Sequence, residues 1–263
     1  MADGGERRRY PTDLELHRVH DRYLIDVVEA LSLCPFASRA RDQGEVVRVL
    51  VRLDDWRDRP VTATGSVPWH GPTIVHRRGD PSPEEVARFL SDVAVLRPRA
   101  AVFLLTFILP DGHPWHDRYA FDRMMQRTSL QHRRRDPQRR FYMACFHPVM
   151  PTSEGLWPAT AANLVHRIRR SPDPVIQAVR ADVMDQLRAD HRKVARGRMR
   201  ADLESLPAEI AHIIAHNPEA VESLSDAIDR NNFARVGPRG HEHALLLERL
   251  EQIHADRRAL GQV

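Results

Sequence analysis

Three side chains that can perform chemistry stand at predicted bends of the chain, each beside or close to a proline. They are Cys34 in the stretch "SLCPFASRA", His147 in "FYMACFHPVMP" and Arg170 in "HRIRRSPDPVIQAVR". A thiol can act as a nucleophile or an iron ligand, and an imidazole can act as a base or bind a metal. A guanidinium holds carboxylates and phosphates through paired hydrogen bonds. The sequence therefore supports the hypothesis that these three groups form one site.

Cys34 is one of only two cysteines, and it directly precedes Pro35 at the end of a helical pattern. Because proline disfavours helical geometry in the residue before it, Cys34 is predicted to lie on a bend. A new helical turn that begins at Pro35 would favour the thiolate and lower the pKa of the thiol. These features predict a nucleophile or a heme ligand; the alternative is a small buried hydrophobic residue.

His147 is predicted to lie at the end of a strand, immediately before a proline. The alternation of this strand places Phe141, Met143, Cys145 and His147 on one face, and Cys145 is predicted to belong to the core. Active-site residues of sheet proteins often emerge at strand ends. His147 is thus a candidate metal or heme ligand, or a general base, and the alternative is a hydrogen bond to a loop.

Arg170 precedes the dipeptide Ser171-Pro172, which resembles a helix start, and residues 175–189 carry helical periodicity. A helix beginning here would place Arg170 beside a positive helix end, a location that attracts anions. Arg180, two turns further on, is a second candidate partner for a carboxylate, phosphate or heme propionate. The alternative is that these are ordinary surface arginines.

The elements that position these side chains are predicted to form an α/β or α+β sandwich. Capping boxes at Thr12 and Ser82 open two of the helices. The apolar run at 100–109 lacks alternation, which indicates a strand buried on both faces. We expect a central sheet of three to five strands covered by helices. Helices are predicted at 13–33, 82–96 and 117–130, and strands at 45–53, 73–77, 100–109 and 140–146.

The part of the chain after Ser171 is predicted to be helical, with no strand. Its predicted helices are 175–189, 206–216, 218–231 and 241–260. We predict three units on this basis: a disordered N-terminus at 1–12, an α/β core domain at 13–190 and a helical C-terminal extension at 191–263. The extension is also the candidate surface for a homodimer.

Composition limits the classes of protein to which the chain can belong. No run of eighteen apolar residues is present, and no apolar stretch follows the charged N-terminus, so we expect a cytoplasmic protein without a membrane span. In that compartment the two cysteines are expected to be free thiols. Forty basic and 36 acidic residues give a net charge of only +4, which does not predict nucleic-acid binding. The basic stretch 188–200 is interpreted as a solvated face or hinge, with nucleic-acid contact as the minority alternative.

Three separated stretches resemble a bacterial family, the domain of unknown function fourteen-fifteen. They are "LCPFA" at 33–37, "FHP" at 146–148 and "RRSPDPVIQAVR" at 169–180, and the family carries similar segments in the same order. The chain departs from that pattern at Arg169 and Asp173, where asparagine and tyrosine are usual.

The resemblance covers roughly residues 15–190 and brings no established reaction with it. It implies that Cys34, His147 and Arg170 belong to one shared site, together with Ser171 and Pro172. Because the first motif lies more than a hundred residues from the other two, a common pocket explains their joint occurrence better than separate structural roles do.

The leading hypothesis for function is a redox enzyme with an iron centre, with heme b as the first candidate, acting on a small anionic molecule. His147 or Cys34 would be the axial ligand, with Arg170 and Arg180 on a propionate or the substrate. One alternative is a cofactor-free enzyme in which Cys34 is the nucleophile and His147 activates it. Another is a non-enzymatic module that binds a protein partner through the helical C-terminus.

Overall fold

A computed structural model of the chain describes residues 11–53, 73–77, 79–150, 161–203 and 222–261. It confirms the α/β sandwich, with one mixed five-stranded sheet and a helical C-terminal region. The predicted loop at 54–72 and the predicted helix at 206–216 lie outside the described residues.

The strands are β1 (Val46–Arg52), β2 (Thr73–His76), β3 (Val102–Ile108), β4 (Phe141–Phe146) and β5 (Val175–Arg180). The helices are α1 (Asp13–Arg22), continued by a π-helical segment (Tyr23–Glu29), then α2 (Ala37–Asp42), α3 (Pro83–Leu96), a 3₁₀ turn (Pro114–His116), α4 (Arg118–Arg135), α5 (Ala161–Ile168), α6 (Ala181–Leu203), α7 (Leu224–Val236) and α8 (His243–Ala259).

The strands follow the order β2-β1-β3-β5-β4 across the sheet. β1 pairs in parallel with β2 and β3, whereas β5 runs antiparallel to both of its neighbours, β3 and β4. The central position of β3 agrees with its near-continuous apolar sequence, because a strand covered by helices on both faces needs apolar side chains on both.

The predicted helix at 175–189 is wrong in its first half, because residues Val175–Arg180 form β5. Pro172 and Pro174 favour extended geometry in the residues before them, so no helix begins at Ser171. Ile176 and Ala178 are fully buried in the sheet, and burial between two neighbouring strands outweighs helical periodicity. The helix begins only at Ala181. Arg170 therefore does not lie beside a helix N-terminus.

The two faces of the sheet are covered differently. Odd-numbered residues of β1 and β3 and even-numbered residues of β5 enter the main hydrophobic cluster, together with α3 and α4. Cys145 belongs to this cluster, which confirms its predicted place in the core. The opposite face carries α1, as shown by the ion pairs that Arg48 and Arg52 of β1 make with Asp21 and Asp13. We call this second side the α1 face.

Helix α1 begins at the predicted capping box, in which the Thr12 hydroxyl and the Glu15 carboxylate each accept a backbone N–H. It continues through the π-helical segment as far as Glu29, and the chain then turns at Ser32, whose φ is 46°. Cys34 follows two residues later, before α2 begins at Ala37. The predicted bend at Cys34 is thus confirmed, although the helix ends before residue 33.

The C-terminal helices pack directly on the start of the chain. Val27 of the π-helical segment, Val236 of α7 and Leu250 of α8 are all buried in one hydrophobic cluster. Leu33 and Phe146 join the same cluster. Two of the three motif segments therefore rest on helices that come from the end of the chain. Among the described residues, no helix combines the length and apolar character needed to cross a bilayer.

Candidate functional site

The second and third motif segments lie side by side. The backbone N–H of His147 donates to the carbonyl of Arg169 at 3.1 Å, and Nε of Arg170 donates to the carbonyl of Pro148 at 3.4 Å. The first segment approaches the same region through Leu33, which shares a hydrophobic cluster with Phe146. In the described part of the chain, the Cys34 thiol forms no hydrogen bond with His147 or Arg170.

Both ring nitrogens of His147 are occupied by the backbone. Nε2 lies 3.0 Å from the carbonyl of Trp115 and donates to it, which leaves Nδ1 to accept the N–H of Val149 at 3.1 Å. The side chain is 1% exposed, and burial is the main reason why its pKa is lowered. His147 is therefore a neutral imidazole whose hydrogen bonds link the end of β4 to the segment before α4. This role corresponds to the alternative stated from the sequence, a hydrogen bond to a loop.

Both cysteines are free thiols. Cys34 is half-buried, and Cys145 is buried. Burial is the largest influence on the Cys34 thiol and raises its pKa. The N–H groups of Phe36 and Ala37 hydrogen-bond the sulfur and act in the opposite direction without reversing the shift. The predicted lowering of this pKa is thus wrong, because loss of hydration outweighs two backbone dipoles.

We expect Cys34 to react with iodoacetamide near neutral pH more slowly than a free thiol of ordinary pKa, because only the thiolate attacks. Cys145, whose pKa burial raises to about 12, should react more slowly still. Mass spectrometry of the alkylated peptides over time measures both rates, and the urea-unfolded chain provides the control. Faster alkylation of Cys34 in the folded chain than in the unfolded chain would instead support the hypothesis that Cys34 is a nucleophile.

The residues proposed for iron binding are poorly placed for it. An axial bond to His147 would require the imidazole to give up one of its two hydrogen bonds, and Cys34 would have to lose its proton first. Arg180 lies at the end of β5 that is remote from Arg170. Its guanidinium donates hydrogen bonds to the carbonyl of Pro98 and to the carboxylate of Asp182. Within the described ranges, no three His, Cys, Asp or Glu side chains form a metal-binding group. The heme or iron centre stays a prediction.

A different group of titratable side chains meets around Asp173, the residue between the two prolines of the third motif. Arg257 of α8 donates to both carboxylate oxygens, from Nε at 2.6 Å and from Nη2 at 2.8 Å. Nε2 of His20, on α1, lies 3.0 Å from Oδ2. All three side chains are buried, with exposures of 5% for Asp173, 1% for Arg257 and 9% for His20.

The charge of Asp173 is stabilised by its partners. Burial alone would raise the pKa of this carboxyl, but the charge of Arg257 and the hydrogen bonds from His20 and Arg257 hold it well below its usual range. Asp173 is therefore an ionised acceptor buried next to an imidazole. Its position is set by the backbone as well, since the Ser171 hydroxyl donates to the Asp173 carbonyl at 2.5 Å.

His20 keeps one ring nitrogen for another partner. Nε2 is held by Asp173, whereas Nδ1 makes no hydrogen bond to any described residue and is not among the atoms sealed from water. A carboxylate that orients one nitrogen of an imidazole leaves the other to accept a proton, and stabilises the imidazolium that results. The geometry of His20 is thus that of a general base.

His17 lies one turn before His20 on α1. Its Nε2 is buried and has no hydrogen-bond partner in the described ranges, and its pKa is lowered to about 4, first by burial and then by the charge of Arg48. A buried polar atom without a partner costs free energy unless a ligand or water satisfies it. The two histidines and Arg48 therefore belong to one electrostatic neighbourhood on the α1 face.

The α1 face of the sheet is only partly covered next to this group. Arg48, Leu104, Gln177 and Ala144 occupy one row across β1, β3, β5 and β4 in the observed register, and all four are half-buried. The neighbouring row is buried at Leu50, Thr106 and Val175. We call the half-buried row the open row. It places a guanidinium and a side-chain amide on a partly accessible, otherwise apolar surface.

Side chains from the C-terminal helices hold the motif backbones in place. Asn232 of α7 donates to the carbonyl of Leu33 at 3.0 Å, and Nε2 of His254 donates to that of Arg170 at 3.3 Å. Burial lowers the pKa of His254 to about 4, so this imidazole is neutral near neutral pH. Together with Arg257, these residues connect α7 and α8 to two of the three motifs.

Sequence reasoning missed His20, Asp173 and Arg257. A signal was present at His17 and His20, which stand among apolar positions of an amphipathic helix. At Asp173 the sequence shows only a departure from the family pattern. No local feature of the sequence predicts that Arg257 is buried, because one arginine among many in a charged helix is usually solvated.

Fold and site together define an α/β sandwich protein with a buried carboxylate–histidine pair beside a half-open sheet face. Comparison of the chain with protein-family models, curated proteins and solved structures finds no match in any of the three. The resemblance to domain of unknown function fourteen-fifteen accordingly remains a hypothesis based on its three motifs.

Proposed function

We propose that this chain is an enzyme that removes a proton from a small anionic molecule, with His20 as the general base. One observation carries the proposal: Asp173 holds Nε2 of a buried histidine, while Nδ1 has no hydrogen-bond partner among the described residues. A buried base oriented in this way is the usual arrangement for acid–base catalysis. The proposal replaces Cys34 and His147 as the reacting groups.

In the proposed step, the proton passes from the substrate to Nδ1 of His20, and the electron pair stays on the substrate atom. Asp173 stabilises the imidazolium that forms, as a carboxylate does when it accepts a hydrogen bond from the second ring nitrogen. Arg257 keeps Asp173 ionised and fixes its orientation through the bidentate contact. Arg257 is thus a positioning residue.

The open row supplies the features for binding an anion. Arg48 has a half-buried guanidinium that forms an ion pair with Asp21. A guanidinium has five N–H donors, so an anionic substrate can accept hydrogen bonds from the donors that Asp21 leaves unused. Gln177, two strands away in the same row, offers an amide for a neutral oxygen or nitrogen. A small molecule that carries one acidic group therefore fits this surface best.

Replacing Arg48 with glutamine is expected to weaken the binding of small carboxylates or phosphate monoesters by about tenfold or more, since a charge-assisted hydrogen bond contributes about 1.5–3 kcal/mol. Arg180→Gln is the matched control. Arg180 belongs to the same sheet but lies at the C-terminal end of β5, where it donates to the carbonyl of Pro98. Binding is measured by NMR on protein with ¹⁵N-labelled histidine, following the ring signals of His20. Binding that leaves those signals unchanged, or that both variants weaken equally, contradicts the proposal.

A further inference from the structure

The C-terminal half of α6 carries an unbroken basic surface. Between Asp190 and Asp202 the sequence contains no acidic residue. Four of its cations are exposed: Arg192, Lys193, Arg196 and Arg198. None of the four forms an ion pair with any residue in the described ranges, whereas Arg188, at the other end of the basic stretch, pairs with Asp185.

Three of these cations share one face of the helix. Arg192 and Arg196 are four residues apart, and Lys193 lies beside them on the same side. Like charges at this spacing repel and destabilise a helix. They also stand in the middle of α6, away from its C-terminal turn, so the helix dipole does not account for them. An anionic partner along this face would relieve the repulsion.

The side of α6 that adjoins the basic face is already covered. α6 packs against β5 and α7, and Nε2 of His191 donates to the carbonyl of Glu222, just before α7, at 3.2 Å. Ala195 and Met199, four and eight residues after His191, are half-buried on the same side. A helix that inserts into a membrane surface needs a free apolar face as well as a basic one. The partner is therefore expected to meet the basic face alone, without burial of apolar surface.

Small residues leave the helix backbone accessible between the cations. Ala189 and Gly197 lie on the same face as Lys193, and a Cβ added at Gly197 would meet no atom of the described residues within 4 Å. Glycine inside a helix is unfavourable relative to alanine, and no packing contact with the part of the chain that the structure describes explains it here. Together with Arg192, Lys193 and Arg196, these two small residues line an open cavity of about 620 Å³. Three cations along it can contact successive phosphates of an extended chain.

We propose that this face of α6, with Arg192, Lys193 and Arg196, binds the phosphate backbone of nucleic acid without reading its sequence. The surface is separate from the site around His20 and does not depend on the function proposed for it. Contacts to phosphates are made by Lys and Arg, and release of counterions makes such binding strongly dependent on salt.

The test is fluorescence anisotropy with a labelled mixed-sequence RNA strand and a labelled DNA duplex, each about 20 nucleotides long, over a series of salt concentrations. We expect binding at low salt that weakens linearly in a plot of log affinity against log salt. The triple variant Arg192→Gln, Lys193→Gln, Arg196→Gln should bind about tenfold more weakly or worse, and its salt slope should be smaller by about 2–3.

The matched control removes three positive charges from a different helix, α4. Arg133→Gln, Arg134→Gln, Arg135→Gln changes three exposed arginines in the last turn of α4, where the helix dipole favours cations. This variant should bind within about twofold of the parent, and circular dichroism checks that both variants are folded. Equal losses in the two triple variants, no binding at low salt, or binding only to vesicles of anionic lipid would overturn the proposal.

Discussion

Replacing Arg257 with methionine should lower the free energy of unfolding by about 3–5 kcal/mol, because it leaves the charge of Asp173 buried without its main partner. The guanidinium now donates to both carboxylate oxygens, and both side chains are almost fully buried. Urea denaturation followed by circular dichroism measures the change. The neighbouring Arg258 is exposed, so Arg258→Met provides the control and should change stability by no more than about 0.5 kcal/mol.

A double variant separates loss of the ion pair from loss of packing. Asp173→Leu together with Arg257→Met removes both charges, and it should recover most of the stability lost in the single variant. If Arg257→Met alone is as stable as the parent, the bidentate contact does not hold α8 to the third motif. A double variant less stable than the single one would show that His20 depends on the carboxylate for its own burial.

The same ion pair predicts how stability varies with pH. The folded pKa of Asp173 lies below its usual value, so its contribution is fully present above the pKa of the unfolded carboxyl. That contribution is lost as the pH falls below about 4, where the unfolded chain takes up the proton first. The double variant should therefore lose less stability between about pH 4 and pH 2 than the parent does.

Replacing His20 with glutamine should reduce kcat by about 10²–10⁴-fold and leave KM almost unchanged, because a general base acts in the transition state and not in binding. The glutamine amide can still donate to Asp173, which preserves the buried hydrogen bond. Initial rates on the carboxylate or phosphate ester that turns over measure both constants, and urea denaturation confirms that stability is retained.

His17→Gln is the control for the effect on kcat. It changes the other buried histidine of α1 without touching Asp173, so a loss of kcat comparable to that of His20→Gln is not expected. Equal losses would mean that the two positions act through the packing of α1. A His20→Gln variant with full activity would remove the proposed base and leave the His20–Asp173 contact a structural one.

Much of the fold was predictable because its signals are local. The capping boxes at Thr12 and Ser82 start helices where the sequence placed them. The valine-rich and apolar runs form β1 and β3, and alternation put Cys145 in the core. These features depend on hydrogen bonds and side-chain periods within a few residues, which a single sequence carries.

β5 was missed because its conformation is decided by distant residues. Residues 175–180 carry helical periodicity, but the gap between β3 and β4 gives a strand there two sets of hydrogen bonds and a buried face. Of the predicted site residues, His147 and Arg170 do lie in adjacent segments, because β4 and β5 are neighbours. Their bonding partners, such as Trp115, were not visible in the motifs themselves.

The amino-acid sequence by itself determined where most helices and strands begin and which cysteine is buried, because short-range hydrogen bonds and side-chain spacing decide these. Only the tertiary structure joined His20, Asp173 and Arg257, which lie 153 and 84 residues apart along the chain. The free energy of a buried charge depends on which groups surround it in space. That arrangement arises only when α1, the segment before β5 and α8 pack together.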